Sequence, residues 1–380
     1  MELRVRMYDN AASYRSDREA IDAAVLGVLG SGELVMGPAV RALEEEFAAY
    51  CGAGYAVGVT SGTSALLLAL RALGIGPGDE VITVANSDIP TSHAVTLTGA
   101  QVVWIDIEPE GCNMDPDLIE AAITPRTKAI LPVHLHGVPA EMAPILEVGQ
   151  HHGIAVMEDA ALATGAHYHG RRIGSLSTLT AFSTAPGKIF GGVGSGGLIT
   201  TDDRSLYDRL NTLRHYGREQ PPYRDRPATG PKWPSDTIEI GYNERIDTID
   251  AAVLRLRLPY LDEQLARRCE HAANYARRFE RAGVRIQRPP ADSKAVWRVF
   301  TVRIPERDRV HAGLFERGIE SSLAYVPADH LDVCYRDLGY RRGSLPVTET
   351  FCDELLALPC HPYLSDAEVE EVADAVIELL

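Results

Sequence analysis

Lysine is scarce in this chain of 380 residues, occurring only at Lys128, Lys188, Lys232 and Lys294. Cysteine is little used. Cys51, Cys112, Cys269, Cys334, Cys352 and Cys360 contain no C-x-x-C pair, which argues against a metal knuckle, and they are too sparse for a disulfide framework. Reduced thiols in a cytoplasmic protein are the expectation. Positive charge is in deficit: 37 basic against 53 acidic residues leave a net charge of −16, the wrong sign for a sequence-independent grip on nucleic acid. No apolar run reaches the roughly 18 residues of a membrane span. The segment Met1 to Asn10 lacks the apolar centre of a secretion signal. No internal repeat is evident. What remains is ordinary for a globular chain, with 45% apolar and 24% charged residues, enough for a sizeable core.

The first half alternates between helical and strand-like segments. Ser16 and Glu19 have capping-box spacing, and Ile21, Ala24, Val25 and Val28 follow at helical spacing. Leu43, Phe47 and Tyr50 mark a second helix. Short apolar runs at Tyr55–Val59, Val81–Val84, Val102–Asp106, Ala129–Val133 and Ile154–Glu158 read as buried strands. Helical stretches such as Ala65–Leu73, Pro116–Ala122 and Ala140–His151 separate them. Strands joined by helices imply crossovers, hence an α/β fold with a mostly parallel central sheet covered on both faces. Ligands in such sheets sit beyond the carboxyl ends of the strands. A polar, Pro-rich stretch from Gly217 to Asp236 reads as a long loop, and Thr248–Arg281 as helix. The rest suggests a smaller α+β unit, with a strand over Val296–Ile304 and helices over Val310–Arg317 and Asp366–Leu379. The expected division is a large domain over 1–247 and a smaller one over 248–380.

Of the four lysines, Lys188 has the distinctive setting. Apolar residues precede it and the glycine-rich Gly191-Gly-Val-Gly-Ser-Gly-Gly197 follows. A lysine in such a site loses its proton more readily and can act as an amine nucleophile; the alternative is a solvated loop lysine. Three further segments bear on the choice. Thr60-Ser-Gly-Thr-Ser-Ala-Leu66 follows a strand and opens a helix, offering amides, hydroxyls and a helix dipole to a phosphate, although helix capping alone would use the same residues. Asp159 ends a buried strand, where a carboxylate needs a partner; a protonated pyridine nitrogen would serve, and a structural cap is the alternative. Asn243 and Arg245, in Gly241-Tyr-Asn-Glu-Arg-Ile246, are candidate anion binders or a surface turn.

The order and spacing of these segments, with Ser31-Gly-Glu-Leu-Val-Met-Gly-Pro38, Pro132-Val-His-Leu-His-Gly137 and Trp297-Arg-Val-Phe300, resemble the DegT/StrS sugar aminotransferases over nearly the whole chain. That resemblance implies a fold-type I enzyme dependent on pyridoxal 5'-phosphate. Lys188 would hold the cofactor as a Schiff base and shuttle the proton. Asp159 would pair with the ring nitrogen, and Gly62, Thr63, Ser64 and Ser183 would bind the phosphate. Asn243 would reach the phosphate of a partner subunit, so a homodimer with interfacial sites is expected. Tyr325 and His330 would lie at the substrate mouth. Two cofactor contacts depart from the family: Asp88 stands where an aromatic residue usually stacks on the ring, or Ile89 takes that place if the register slips by one, and Leu162 replaces the glutamine that meets the ring hydroxyl. The implied reaction moves an amino group from glutamate or glutamine to a keto sugar, commonly nucleotide-linked, in amino-sugar or antibiotic biosynthesis. A ketocyclitol is the alternative acceptor. A sugar dehydratase is disfavoured by Lys188, since the family's dehydratases carry histidine there. A regulatory DNA-binding role is disfavoured by the acidic charge and the lack of room for a helix-turn-helix.

Overall fold

The computed structural model describes residues 3–219 and 236–380. Most of the Pro-rich stretch, with Lys232, lies outside the described residues. Three helices lead: α1 (Asn10–Ser16), α2 (Arg18–Ser31) and α3 (Pro38–Cys51). Then β1 (Tyr55–Val59), α4 (Gly62–Ala72), β2 (Glu80–Val84), α5 (Pro90–Leu97), β3 (Gln101–Ile105), α6 (Ile119–Ala122), β4 (Thr127–Ile130), α7 (Met142–His152) and β5 (Ala155–Asp159) alternate. The short β6 (His167–Tyr168) and β7 (Arg171–Arg172) precede β8 (Leu179–Ser183), β9 (Gly197–Thr201) and α8 (Arg204–Leu213). Beyond them lie α9 (Thr248–Arg257), α10 (Leu261–Arg281), β10 (Arg285–Ile286), β11 (Ser293–Lys294), β12 (Phe300–Arg303), α11 (Arg307–Glu316), α12 (Pro346–Glu354), β13 (Leu355–Leu358) and α13 (Asp366–Glu378).

The expected α/β architecture is present. Seven strands form the central sheet in the order β1-β9-β8-β5-β4-β2-β3. From β8 to β3 every pairing is parallel, and only β9 runs against its neighbours β1 and β8. The strands are buried on both faces, as a sheet covered by helices requires. A second core gathers Tyr275, Phe279 and Phe300 with Val369 and Val372, where α10 and α13 cover the antiparallel sheet β10-β12-β13. Val5, from the start of the chain, joins that core and bridges to Ile319.

Several local expectations change. Ser16 does not cap α2: it closes α1, its hydroxyl donates to the carbonyl of Ser13, and Asp17 is the residue before α2. A helix already in place upstream leaves Ser16 at a carboxyl end, where its capping oxygen has no amide to meet. The helix expected over Thr248–Arg281 is broken by a 3-10 turn at Leu258–Tyr260, because Pro259 lacks the amide that would continue it. The strand expected over Val296–Ile304 is shorter, Phe300–Arg303, since Trp297 takes a positive φ of 50°.

Candidate active site

Three strand ends build the site. β1 runs into α4, and Ser61 caps that helix by accepting from the amide of Ser64 at 3.0 Å. The amides of Gly62 and Thr63 in the first turn of α4 have no helical acceptor and lie on the positive end of the helix dipole. Ser183, the last residue of β8, faces this turn. A Cβ on Gly62 would stand 2.7 Å from the Ser183 Cβ and 3.1 Å from its hydroxyl, so glycine is what lets the hydroxyl approach the helix start. Part of the cradle is already engaged: Glu244 accepts from the hydroxyls of Thr60 and, at 2.7 Å, Ser64. Ser183 and the first-turn amides are therefore the better anion donors here.

Asp159 ends β5, the neighbour of β8, with its carboxylate buried. Oδ2 accepts from Thr91 at 2.7 Å, and Oδ1 from the amide of Ala161 at 3.0 Å. Thr91 in turn pairs with Ser87 at 2.7 Å. No salt bridge reaches Asp159 among the described residues. Burial pushes its pKa up, against the bonds from Thr91 and Ala161 and the nearby Lys188. Beneath it, His134 donates from Nε2 to Glu158 at 2.9 Å while its Nδ1 accepts the amide of Ala140 at 3.0 Å. The backbone amide of His134 also donates to the Asp159 carbonyl at 3.0 Å. This packed pair fixes the strand end from behind.

Lys188 follows β8 and is half-buried. Its pKa is lowered, first by burial and then by the Arg298 guanidinium, with Asp88 and Asp159 opposing. The glycine run after it is clamped by α9. Asp250 accepts from the amides of Val193 at 2.7 Å and Gly194 at 3.1 Å, and Arg257 donates to the carbonyls of Gly191 and Gly192. A side chain on Gly192 would collide with Asp250, its Cβ falling 2.1 Å from Oδ1. Burial raises Asp250 to about 6.

Asp88 is partly exposed at the turn before α5, close enough to act electrostatically on Lys188, Tyr325 and Asp329. Ile89 packs against the main core, as does the buried Leu162. Tyr325 stacks on His136 with rings 6.4 Å apart and nearly parallel, and burial raises its pKa. His330 is not at an open mouth: it is buried, its Nε2 meets Glu349 at 3.1 Å, and its Nδ1 has no partner. Glu349 on α12 and the Tyr340 ring, 6.2 Å away, are its neighbours. Asn243 is exposed; its carbonyl oxygen accepts from Arg245 and its backbone pairs with His215. It does not join the cradle of its own subunit.

Sequence reasoning missed Thr91, Glu244, Asp250 and Arg298. Arg298 lies within the Trp297–Phe300 segment, and its charge is a signal that could have marked it. The other three become visible only when distant segments meet.

These residues fit pyridoxal phosphate. A buried carboxylate without a cation faces a depressed lysine, and a glycine-shaped opening at Ser183 offers amides and a hydroxyl to a phosphate. Known proteins agree. The model of the DegT/DnrJ/EryC1/StrS aminotransferase family matches residues 15–377. The dTDP-3-amino-3,4,6-trideoxy-alpha-D-glucose transaminase of Streptomyces venezuelae is 43% identical over 376 residues, covering 99% of this chain and 96% of the relative. The crystal structure of S. venezuelae DesV in complex with a ketimine intermediate superposes with a TM-score of 0.93 at 43% identity, covering 99% of this chain and 98% of that one. NtdA of Bacillus subtilis, with the cofactor PMP bound, superposes at 0.85 with 28% identity, over 98% of this chain and 83% of that one. The chain belongs to the DegT/DnrJ/EryC1/StrS aminotransferase family and is a pyridoxal phosphate-dependent sugar aminotransferase.

Proposed function

We propose that the protein transfers the amino group of glutamate or glutamine to the keto carbon of a dTDP-linked sugar, as a step in making an amino sugar for a secondary metabolite. The observation that carries this reading is the convergence of Lys188, Asp159 and the Gly62–Ser183 opening at the ends of β8, β5 and β1. The dTDP-sugar transaminase activity of the S. venezuelae relative supports a dTDP-sugar as the acceptor.

When bound, pyridoxal phosphate supplies an aldehyde for amines and a conjugated ring that accepts electron density. Lys188 Nζ would hold it covalently and, once released, move a proton at the nitrogen-bearing carbon of the substrate. Burial and Arg298 favour the neutral amine, the form that can take up that proton. Asp159 would keep a proton on the ring nitrogen, with Thr91 fixing the carboxylate's orientation. Gly62, Thr63 and Ser183 would hold the phosphate, the hydroxyl and amide of Ser64 being engaged by Glu244 and Ser61. Leu162 offers no donor to the ring hydroxyl, Asp88 or Ile89 would cover a ring face, and Tyr325 would flank the substrate. His330 would act from behind through its Glu349 contact rather than by touching substrate.

A cytoplasmic homodimer is part of the proposal. Exposed apolar residues lie at the start of α9, where Leu34 meets Thr248, Val35 meets Asp247 and Val193 meets Asp250, and Ile240 and Asn243 are exposed in the segment just before it. Covering them with a second copy would bring Asn243 to the partner's phosphate. No described helix is long and apolar enough to cross a membrane.

Two half-reactions test the function. Glutamate or glutamine alone should bleach the visible band of the bound cofactor and release one keto acid per site. A dTDP-linked keto sugar should then restore the band. If no amino acid changes the spectrum, transamination from an amino-acid donor is wrong.

A further inference from the structure

We propose that Arg298 is the receptor for the α-carboxylate of the amino donor and so selects amino acids as donors. This rests on the amino-acid half of the reading above.

Arg298 is 8% exposed, yet its Nε and Nη1 are buried without a hydrogen-bond partner, and no salt bridge reaches it among the described residues. Other buried arginines here are engaged. Arg268 directs Nη1 to the carbonyls of Trp297, Arg298 and Cys360, and Arg214 bonds Glu44, the Gly58 carbonyl and Asn211. An unpaired buried cation is costly and is retained where a ligand completes it.

Its position points to the ligand. The guanidinium carbon lies 3.8 Å from the centre of the Tyr8 ring, which holds one face by a cation–π contact. A Cβ on Gly187, the residue before Lys188, would stand 3.8 Å from Nη2. The backbone is pinned as well, since the Arg298 amide donates to the His136 carbonyl at 2.8 Å. Arg298 also has the largest charge influence on Lys188. An anion held here would lie beside the residue that precedes Lys188, near the reacting amine. The carboxylate of an α-amino acid meets that demand, because one carbon separates it from its amine. The phosphates of a nucleotide sugar are separated from the keto carbon by the sugar ring. A planar guanidinium fork also matches a carboxylate's two oxygens. Of the nearby carboxylates, Asp159 is already committed to Thr91 and Ala161.

The test compares Arg298→Met and Arg298→Lys with the parent holoenzyme. Glutarate, which carries carboxylates but cannot react, should bind the Met variant on the order of ten- to hundredfold more weakly by calorimetry, the worth of a charged hydrogen bond. Binding of dTDP should change less than about threefold, within ordinary variation for a distant site. The glutamate concentration that half-bleaches the band should rise by the glutarate factor, and restoration of the band by the sugar should not. The Lys variant keeps the charge but not the fork, and should fall between the two. Should the Met variant fail to fold, the Lys variant alone decides, by the same contrast of glutarate against dTDP. Unchanged glutarate binding overturns the proposal, as does weakened dTDP binding with glutarate intact, which would assign Arg298 to the nucleotide. If the parent enzyme itself ignores glutamate yet binds glutarate through Arg298, the donor reading fails and the carboxylate site stands.

Discussion

At the scale of single residues, burial sets the chemistry. Lys188 and Asp159 are pushed toward neutrality by the same loss of water and are restrained by each other's charge. Asp329 shows that effect without a cation to oppose it. Its carboxyl meets Ser92, which also accepts from the Trp104 indole at 3.1 Å, and burial lifts it to about 8. The folded-state pKa is then above the ordinary value of 3.8. Between the two values unfolding releases a proton, so stability is greatest at low pH and is lost as pH rises through about 8. Asp329→Asn should remove that slope. Urea titrations at pH 6 and pH 8.5 should show the parent losing stability relative to the variant, by up to about tenfold in the folding constant per pH unit. Parallel behaviour of the two proteins would place Asp329 in water. Lys188 and Asp159 were legible in the sequence because each closes or follows an apolar strand. Thr91, Glu244 and Arg298 were not, since Thr91 reaches Asp159 across 68 residues and Glu244 reaches Ser64 across 180. Periodicity carries no information about such meetings.

At the scale of elements, the site depends on how closely α4 approaches β8. Gly62→Ala should put a methyl group against Ser183 and part the two elements. The expected outcome is a folded protein whose cofactor dissociation constant rises about tenfold or more, the loss of at least one charged hydrogen bond. Circular dichroism and fluorescence titration of the apoprotein measure both parts. Unchanged cofactor affinity would separate Gly62 from the phosphate. Alternation of strands and helices made β1 to β5 readable, and the five expected strands exist with ends shifted by a few residues. The pair β8 and β9 was harder to see. The lysine loop and its glycine run lie between them, and β9 breaks the parallel pattern that the crossovers imply. The division of Thr248–Arg281 into α9 and α10 was signalled by Pro259, which a helical period alone overrides.

At the scale of the whole molecule, the proposed role of Asn243 needs two copies of the chain. Ile240 is 85% exposed three residues before Asn243, and a second copy covering it would take its apolar surface out of water. Ile240→Asp should therefore shift sedimentation toward the monomer. Asn243→Ala should leave the dimer intact while weakening cofactor binding on the order of ten- to hundredfold. A parent protein that sediments as a monomer with full cofactor occupancy would contradict both. The central claim is narrower: one lysine of the chain carries the cofactor. Borohydride reduction of the holoenzyme, followed by proteolysis and mass mapping, tests it directly. The account predicts a single pyridoxyl adduct on Lys188, absent from Lys188→Ala. An adduct on Lys128, Lys232 or Lys294 in its place would contradict it.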